Sequence, residues 1–561
     1  MVRHIFELFH REFRDVREAA FLLAAATVVS NLLALLRDRL LASRFGAGAE
    51  LDIYYAAFRV PDLLYACSLF FVASTVIIPL FLERYAESED RAREFINTVL
   101  AAFLLSMAVL LGIAYIIMPV VVPYYVPGFD VANQEEVIRM ARILLISPFF
   151  LGLSGLASGV LQSFRRFFVY AATFLFYNIG IIIGILVFVP RWGLSGLSWG
   201  VVLGAGLHVL IQVPSLVRTG FFPRFSIGRF QDVFRVFRKS FLRTAGLAMN
   251  QLTFVGVTAI ASTLGAGSIA VFQLSYNLQS IPLAVIGLSY SVAAFPTMAE
   301  LIVRRERALF FEHVVSATRS IIFWTLPGTV LFIVLRAHIV RVVLGTGEFS
   351  WTDTRLVAAS LALFAVGMVA QSLVALFVRA FYAIGNVRVP LLVNTFSFLV
   401  TVGSAFFFVR MLQEISTVHI PFFQILRVAD VPQTAVLGLP FAFAVGALAN
   451  MMLLGFYLRR MEGGESFRLR HMASFLGDMA AASTLLGAIS YIMLQVLQPF
   501  FGGDTFWGVF LQGFLAGVCG IATAVLFLQA RGSKELEELR SVLGRKFWRH
   551  QTVVGPEPEH L

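Results

Sequence analysis

The chain has 561 residues, of which 59% are hydrophobic and only 14% are charged. A soluble domain of this composition could not cover its own core with polar surface, so the composition excludes a soluble protein and indicates a membrane protein with many spans. The formal net charge of +11 does not indicate nucleic-acid binding, because the basic residues lie in short connectors between long apolar runs.

The chain begins with residues 1–18, which combine four arginines with phenylalanines at helical spacing and show no signal-peptide cleavage site. This pattern predicts an amphipathic helix on the inner membrane surface. Fourteen apolar runs follow, each near the 20 or so residues that a helix needs to cross roughly 30 Å of hydrocarbon. Their centres lie near residues 30, 70, 108, 150, 179, 204, 252, 284, 323, 369, 399, 447, 482 and 518. The sequence therefore predicts an all-α polytopic membrane protein with about 14 transmembrane helices.

The charge of the connectors predicts the orientation. If the N-terminus is cytoplasmic, the inner segments hold 30 of the 44 Lys and Arg residues, the outer connectors hold 6, and the remaining 8 lie in or at the ends of spans. Basic residues concentrate on the cytoplasmic side of membrane proteins. We therefore expect both termini to be cytoplasmic.

An internal repeat divides the chain. LASRFGAG at 41–48 is echoed by IASTLGAG at 260–267, an offset of 219 residues or about six spans. An even number of spans preserves orientation, so we expect two six-helix lobes related by an axis along the membrane normal, with a cavity between them. The glycines in both copies predict a turn. The predicted segments are 1–18 (interfacial), 19–217 (N-terminal lobe), 218–243 (basic cytoplasmic loop), 244–461 (C-terminal lobe), 469–531 (two extra helices) and 532–561 (cytoplasmic tail).

Charged residues lie inside the first two spans. Such charges are costly at membrane depth, so they usually face a protein interior or a watery cavity. Residues three and four apart share one face of a helix. One face of the first span carries Thr27, Ser30, Asn31, Arg37 and Asp38, and one face of the second carries Asp52, Tyr55, Arg59 and Asp62.

Five motifs follow one another along the chain: LLRDRLLASRFGAGAELDIYYAAFRVPDLL, PGF at 127–129, QVPSLVRTGFFPRF from Gln212, GEFSWTDTRL from Gly347 and RAFYAIGNVRVPLLV from Arg379. Together they resemble the MurJ/MviN family of lipid II flippases, within the multidrug/oligosaccharidyl-lipid/polysaccharide exporter superfamily. The likeness covers about residues 19–531. It implies fourteen helices, two six-helix lobes and a final helix pair that forms a groove for a polyprenyl tail.

The resemblance implies a cargo with a pyrophosphate and a large sugar-peptide head. Arginine suits a pyrophosphate, because its planar fork donates paired hydrogen bonds and stays charged. We therefore expect Arg37 and Arg59 to bind the head group in a central cavity. Asp38 and Asp62 would repel a phosphate, and the alternative is that they join both arginines in a network that ties the first two spans together. Asp52 is expected to cap or brace a helix end.

Three positions depart from the family pattern. Asn31, Tyr65 and Asn277 stand where the family commonly has arginine. The cavity then depends on Arg37 and Arg59, with Arg142 or Arg379 as candidate substitutes, or the cargo differs, or transport is reduced. All three replacements are candidate cavity residues.

Other chemistry is not indicated. The nine histidines form no HExxH motif or Cys/His cluster, and GTGEF at 345–349 lacks the Lys of a P-loop, so we expect no metal, no cofactor and no enzyme activity. Cys67 and Cys519 lie in apolar runs and predict no disulfide. An ion site is one interpretation of four polar residues in the later spans, and hydrogen bonds between packed helices are the other. Those residues are Asn250, Asn394, Asn450 and Asp478.

The leading hypothesis is a multi-pass protein of the bacterial cytoplasmic membrane that moves lipid II from the inner to the outer leaflet by alternating access. The alternatives are an exporter of another polyprenyl-linked glycan or amphipathic molecule, and a scaffold that keeps the fold without transport. The expected partners are the lipid-linked precursor and membrane lipid, with no nucleic acid, and the sequence is compatible with a monomer.

Overall fold

The structure is a computed structural model that describes residues 16–72, 74–222, 224–226, 228, 230–414, 420–462, 469–501, 505–537 and 539–540. These residues form helices and connecting turns and contain no β-strand. The prediction of an all-α protein is therefore confirmed. Most of the predicted interfacial helix at 1–18, and the tail after residue 540, lie outside the described residues.

The N-terminal half, defined here as residues 16–222, begins with a long helix and continues with a segment interrupted by a turn at Phe58. Its helices are α1 (Val16–Phe45), α2 (Ala49–Ala57), α3 (Arg59–Val72), α4 (Ser74–Glu87), α5 (Glu89–Tyr125), α6 (Val131–Leu144), α7 (Ile146–Ser163), α8 (Phe167–Ile183), α9 (Val189–Trp192), α10 (Ser195–Leu210) and α11 (Val213–Arg218). A π-helical turn, Gly184–Phe188, joins α8 to α9. Wider turns of this kind are common near functional sites.

The C-terminal half, residues 230–462, follows the same pattern of long and broken helices. Its helices are α12 (Phe230–Ser262), α13 (Ser268–Pro282), α14 (Ser289–Val303), α15 (Arg307–Leu344), α16 (Trp351–Val366), α17 (Met368–Ala383), α18 (Arg388–Glu414), α19 (Ile420–Leu426) and α20 (Gly438–Glu462). A π-helical segment, Leu283–Leu288, joins α13 to α14. The last two helices, α21 (Leu469–Leu497) and α22 (Phe506–Ala530), pack on each other and on α15.

Eleven helical segments of the described chain are long and apolar enough to cross a membrane. The pair α16 and α17, bent by 45°, adds a twelfth if it forms one span. The predicted spans near residues 30 and 70 fall on α1 and on the broken segment α2–α4, which are not among these eleven. The membrane architecture is confirmed, while the count of fourteen and the lobe boundaries stay predictions.

Glycines let α8 and its π-helical extension approach α10 closely. A β-carbon at Gly180 would lie 2.2 Å from the Cα of Gly204, and one at Gly184 would lie 2.5 Å from the Cα of Gly200. Both distances are far below van der Waals contact, so side chains cannot occupy this crossing. Small residues at four-residue spacing permit such close helix packing in membranes.

Three large apolar clusters organise the interior. One lies mainly in the N-terminal half, and a second joins the C-terminal half to α21 and α22. The third and largest contains residues of both halves, among them Leu51 and Tyr54 of α2 and Phe272 of α13. It lies beneath the loops at 46–48, 126–129, 263–267 and 345–350, and we call the side that carries them the outer face, as the sequence predicts.

The loop after α19 is fixed to the C-terminal half by an ion pair on the outer face. Arg355 of α16 donates to both carboxylate oxygens of Asp430, with a distance of 2.7 Å to Oδ2, and also to the Arg427 carbonyl. These hydrogen bonds lower the pKa of the exposed Asp430 carboxyl to about 2. The contact therefore stays ionised at neutral pH.

Candidate functional site

Arg37 lies at the start of a polar network in the middle of α1. It donates to the neighbouring Asp38 carboxylate at 2.8 and 2.9 Å and to Asn178 Oδ1 of α8 at 3.2 Å. The Asn178 amide in turn donates to Ser30 Oγ at 3.4 Å and to the Phe174 carbonyl at 3.1 Å. Asp38 is 3% exposed, so its charge is balanced by Arg37 inside the protein.

The network continues into the C-terminal half. Asn277 of α13 donates to the second oxygen of Asp38 at 3.0 Å, and Gln273 donates to Asn277 Oδ1 at 2.9 Å. Gln273 Oε1 accepts a hydrogen bond from Arg59 of α3 at 2.9 Å. A continuous chain of hydrogen bonds therefore joins both predicted cavity arginines across the two halves.

Arg59 is held only by neutral groups within the described part of the chain. Its Nε donates to Thr258 Oγ1 of α12 at 2.7 Å, its Nη2 donates to Gln273, and its guanidinium lies 5.4 Å from the centre of the Phe254 ring. The residue is 6% exposed. No carboxylate of the described residues lies within ion-pair distance of Arg59, and Asp62, one turn along α3, acts on it only electrostatically. The hydrogen-bonded groups of this network therefore carry a net charge of +1, since Arg37 and Asp38 cancel.

Three of the predicted site residues stay outside the network. Asn31 and Tyr65 are half-buried, and neither side chain forms a hydrogen bond within the described residues. Asp62 is also half-buried and makes no ion pair there. Arg59 directs its hydrogen bonds to α12 and α13, and Asp62 acts on it only electrostatically, so the alternative of a charge network that ties the first two spans together stays a prediction.

The two copies of the repeated glycine motif meet at the outer face. Gly46 and Gly267 have φ values of +61° and +91°, which confirms the predicted turns. A β-carbon at Gly267 would lie 1.8 Å from the Ala47 carbonyl oxygen, so only glycine fits there. On the other side of the turn, Glu348 N–H donates to the Ser43 carbonyl at 2.9 Å.

Asp52 adds a charged contact to this closure. Its two carboxylate oxygens accept hydrogen bonds of 2.7 Å each from the backbone N–H groups of Gly267 and Ala270. Asp52 thus caps the N-terminus of α13, a helix of the opposite half, rather than the end of its own helix. A carboxylate is favoured there because a helix N-terminus carries partial positive charge. Asp52 is 2% exposed, so water does not weaken the contact.

The other candidate polar residues lie elsewhere. Arg142, near the C-terminal end of α6, contacts Tyr115 of α5, and Arg379 donates to Ser291 Oγ at 2.6 Å between α17 and α14. Neither joins the network, so neither replaces a missing family arginine there. Asn450 donates to Asn394 Oδ1 at 3.0 Å, and Asp478 pairs with Arg531 at 2.9 Å. These contacts match the helix-packing interpretation.

The comparisons with known proteins decide the family. A sequence model described as lipid II flippase MurJ matches residues 41–511, which is most of the chain. The chain belongs to the MurJ family. Among curated members, a probable lipid II flippase MurJ of Bdellovibrio bacteriovorus is 27% identical over 86% of this chain and 89% of its own. One of Rhizobium tropici is 26% identical over 93% and 95%.

Solved structures agree with the MurJ fold. One titled lipid II flippase MurJ, inward closed conformation, has a TM-score of 0.71 at 21% identity and covers 94% of this chain and all of its own. An inward-facing multidrug resistance transporter of the MATE family and MOP superfamily has a TM-score of 0.61 at 15% identity, over 79% and 98%. At these identities the likeness concerns the fold alone.

Four network residues were missed by sequence reasoning: Asn178, Thr258, Gln273 and the ring of Phe254. Asn178 is an isolated amide in an apolar span, a pattern that by itself indicates an interhelical hydrogen bond. Gln273 lies four residues before Asn277 and shares its helix face. Thr258 and Phe254 gave no signal, since threonine and phenylalanine are ordinary residues of a membrane helix.

Proposed function

We propose that this protein is a lipid II flippase of the bacterial cytoplasmic membrane, with both termini cytoplasmic, and that it moves its cargo from the inner to the outer leaflet by alternating access. One observation carries the site assignment. Arg59 is a buried cation that neutral groups hold at the junction of the two halves. An anionic head group would supply the missing counter-charge. Membership of the MurJ family supports lipid II as the source of that anion.

The mechanism follows from which hydrogen bonds of the network must break when the two halves separate. When the halves separate, Arg59 loses its partners Thr258 and Gln273, and Asp38 loses Asn277. A pyrophosphate bound to Arg59 and Arg37 would replace these hydrogen bonds with stronger, charge-assisted ones. Cargo binding and closure of the halves therefore compete for the same arginines, which lets the cargo itself promote the conformational change.

The neutral residues at family arginine positions have a supporting role in this proposal. Asn277 orients Asp38, which in turn holds the Arg37 guanidinium. Asn31 and Tyr65 are half-buried on α1 and α3, where they would contact the sugar or peptide by neutral hydrogen bonds. Fewer cations around the pyrophosphate predict weaker cargo binding than in a family member with all the arginines.

A transport assay tests the proposal. In proteoliposomes with labelled lipid II, head-group exposure should depend on the protein. Arg59→Ala or Arg37→Ala should lower it roughly 10-fold or more, because a hydrogen bond to a charged group contributes about 1.5–3 kcal/mol. Arg410→Ala is the matched control, since among the described residues that exposed arginine pairs only with Glu414 of its own helix. No exposure with the unaltered protein would refute the flippase, while exposure indifferent to both substitutions would refute only the site.

A second candidate is export of another polyprenyl-linked glycan. Asn31, Tyr65 and Asn277 favour it, because neutral residues at cationic positions suit a cargo with less negative charge. Lipid II and a polyprenyl-pyrophosphate oligosaccharide should be compared in the same vesicles. Faster exposure of the oligosaccharide would support this candidate, and exposure of neither would support a scaffold without transport.

A further inference from the structure

A cavity separate from the network opens on the outer side of the N-terminal half. It has a volume of about 500 Å³ and lies between α5, α6 and α10. Its walls carry Glu135, Arg139 and Arg142 of α6, Tyr115 of α5 and Trp199 of α10. The transport mechanism uses none of these residues.

The cavity is polar at its outer end and apolar at its inner end. Glu135 lies near the start of α6, and Arg142 lies seven residues, or about 10 Å, further along the helix axis. Ile143 and Ile146 follow below them. Tyr115 and Trp199 are 52% and 41% exposed, as expected for side chains at the border between head groups and acyl chains. This gradient matches a lipid molecule with its head group outward.

Two opposite charges in the cavity have no ion-pair partner within the described residues. Arg142 contacts only the Tyr115 carbonyl, at 3.3 Å, and the face of the Tyr115 ring, at 4.5 Å. Glu135 makes neither a hydrogen bond nor an ion pair there. Arg139, by contrast, is neutralised by Glu136 at 2.9 Å. The unpaired charges are therefore one cation below one anion.

Helix geometry favours an Arg142 side chain that leans toward the end of α6 that carries Glu135. Side chains on a helix tilt toward its N-terminus, and the N-terminus of α6 is at the outer face. A long arginine also reaches toward the interface to keep its charge near polar groups. Both tendencies bring the cation closer to the anion than the roughly 10 Å that separates their positions along the helix axis.

We propose that this cavity binds an outer-leaflet phospholipid with a zwitterionic head group of the phosphatidylethanolamine type. The lipid phosphate would contact Arg142, its primary ammonium would contact Glu135, and its acyl chains would lie along Ile143 and Ile146. An anionic phospholipid without an amine would still pair its phosphate with Arg142, but it would leave Glu135 without a cation. The pairing of charges, rather than the apolar surface alone, selects the lipid. The proposal does not depend on which cargo the protein carries.

Native mass spectrometry of the full chain, delipidated and exposed to equal amounts of phosphatidylethanolamine and phosphatidylglycerol, tests this. We expect the ethanolamine lipid to be bound preferentially. Arg142→Gln should reduce its adduct at least 10-fold, because the phosphate loses its cation. Glu135→Gln should abolish the preference for the ethanolamine lipid over the glycerol lipid. The control is Arg191→Gln, since that exposed outer arginine contacts only the Val187 carbonyl within the described residues.

Three results would overturn the proposal: equal binding of both lipids by the unaltered protein, an adduct that survives Arg142→Gln, or a preference that survives Glu135→Gln. A lipid II arm separates the two sources of phosphate, since displacement of the ethanolamine lipid by lipid II alone would assign the cavity to cargo. If Arg142→Gln failed to fold, the exposed Glu135→Gln would decide the question by itself.

Discussion

Asp52 and Arg59, two residues of opposite charge, form hydrogen bonds between the two halves, and their partners indicate different roles. Asp52 is held at one place, the start of α13, where two backbone N–H groups donate hydrogen bonds to its two carboxylate oxygens. Arg59 is held by a hydroxyl and an amide that any stronger acceptor could replace. Asp52 therefore suits a fixed latch, and Arg59 suits a group that exchanges partners during transport.

Asp52→Asn should weaken the closure of the outer face. The amide places an NH₂ donor against a backbone N–H donor and removes the charge that favours the helix N-terminus. A loss of about 2 kcal/mol, the size of a buried hydrogen bond to a charged group, would lower the ratio of closed to open molecules roughly 30-fold. Spin labels at Val131 and Thr352, on the outer ends of α6 and α16, should report longer distances between the halves.

Glu50→Gln is the control for the latch, because Glu50 lies on the same helix, is exposed and makes no ion pair within the described residues. It should leave the label distances unchanged. An unchanged distance distribution in Asp52→Asn would show that the glycine contacts alone close the outer face.

At the scale of elements, the crossing of α8 and α10 positions the network. Tyr177 and Asn178 lie on α8 between its contact with α10 and its contact with α1, and Asn178 holds Arg37. The crossing leaves no room for a side chain at Gly204, because a β-carbon there would lie 2.4 Å from the Tyr177 carbonyl oxygen. A displaced α8 would therefore displace the amide that orients Arg37.

Gly204→Ala should destabilise the protein by about 1–3 kcal/mol, the usual effect of overpacking a tight contact. Gly206→Ala on the same helix is a matched control, since nothing lies within 4 Å of its β-carbon position. That change should be neutral or stabilising by up to about 1 kcal/mol, because alanine favours helices more than glycine does. Unfolding midpoints of the two purified variants in detergent make the comparison. Equal midpoints would show that α8 and α10 can separate without loss.

At the scale of the whole molecule, the sequence predicted the features that depend on composition and period. Apart from those near residues 30 and 70, the predicted apolar runs fall on helices long enough to cross a membrane or on the bent pair α16–α17, and the glycine turns are at Gly46 and Gly267 as predicted. The G-x-x-x-G-x-x-x-G spacing at 196–204 was an available signal for the α8–α10 crossing that was not used.

What could not be predicted is which polar groups meet across the halves. The sequence placed Arg59 and Asp52 on one helix face, yet their partners Thr258 and Gly267 lie about 200 residues away. Pairing between distant segments is set by the packing of many helices at once, and no local period records it. The prediction that Asn31, Tyr65 and Asn277 share one site has the same limit, since Asn277 joins the network and the other two do not.

The outer closure gives the whole molecule a testable consequence. A head group can leave outward only if the two halves separate there, so a covalent link across the outer face should stop transport. A short bismaleimide between Val131→Cys and Thr263→Cys would form such a link. Val131 follows Gly128 by three residues, and a β-carbon at Gly128 would lie 2.5 Å from the Thr263 Cα. Cys67 and Cys519, both free thiols, are replaced by serine for this experiment. Linked Arg355→Cys and Asp430→Cys, both within the C-terminal half, should leave lipid II exposure intact. Continued exposure with the first link in place would show that the cargo crosses without opening the outer face.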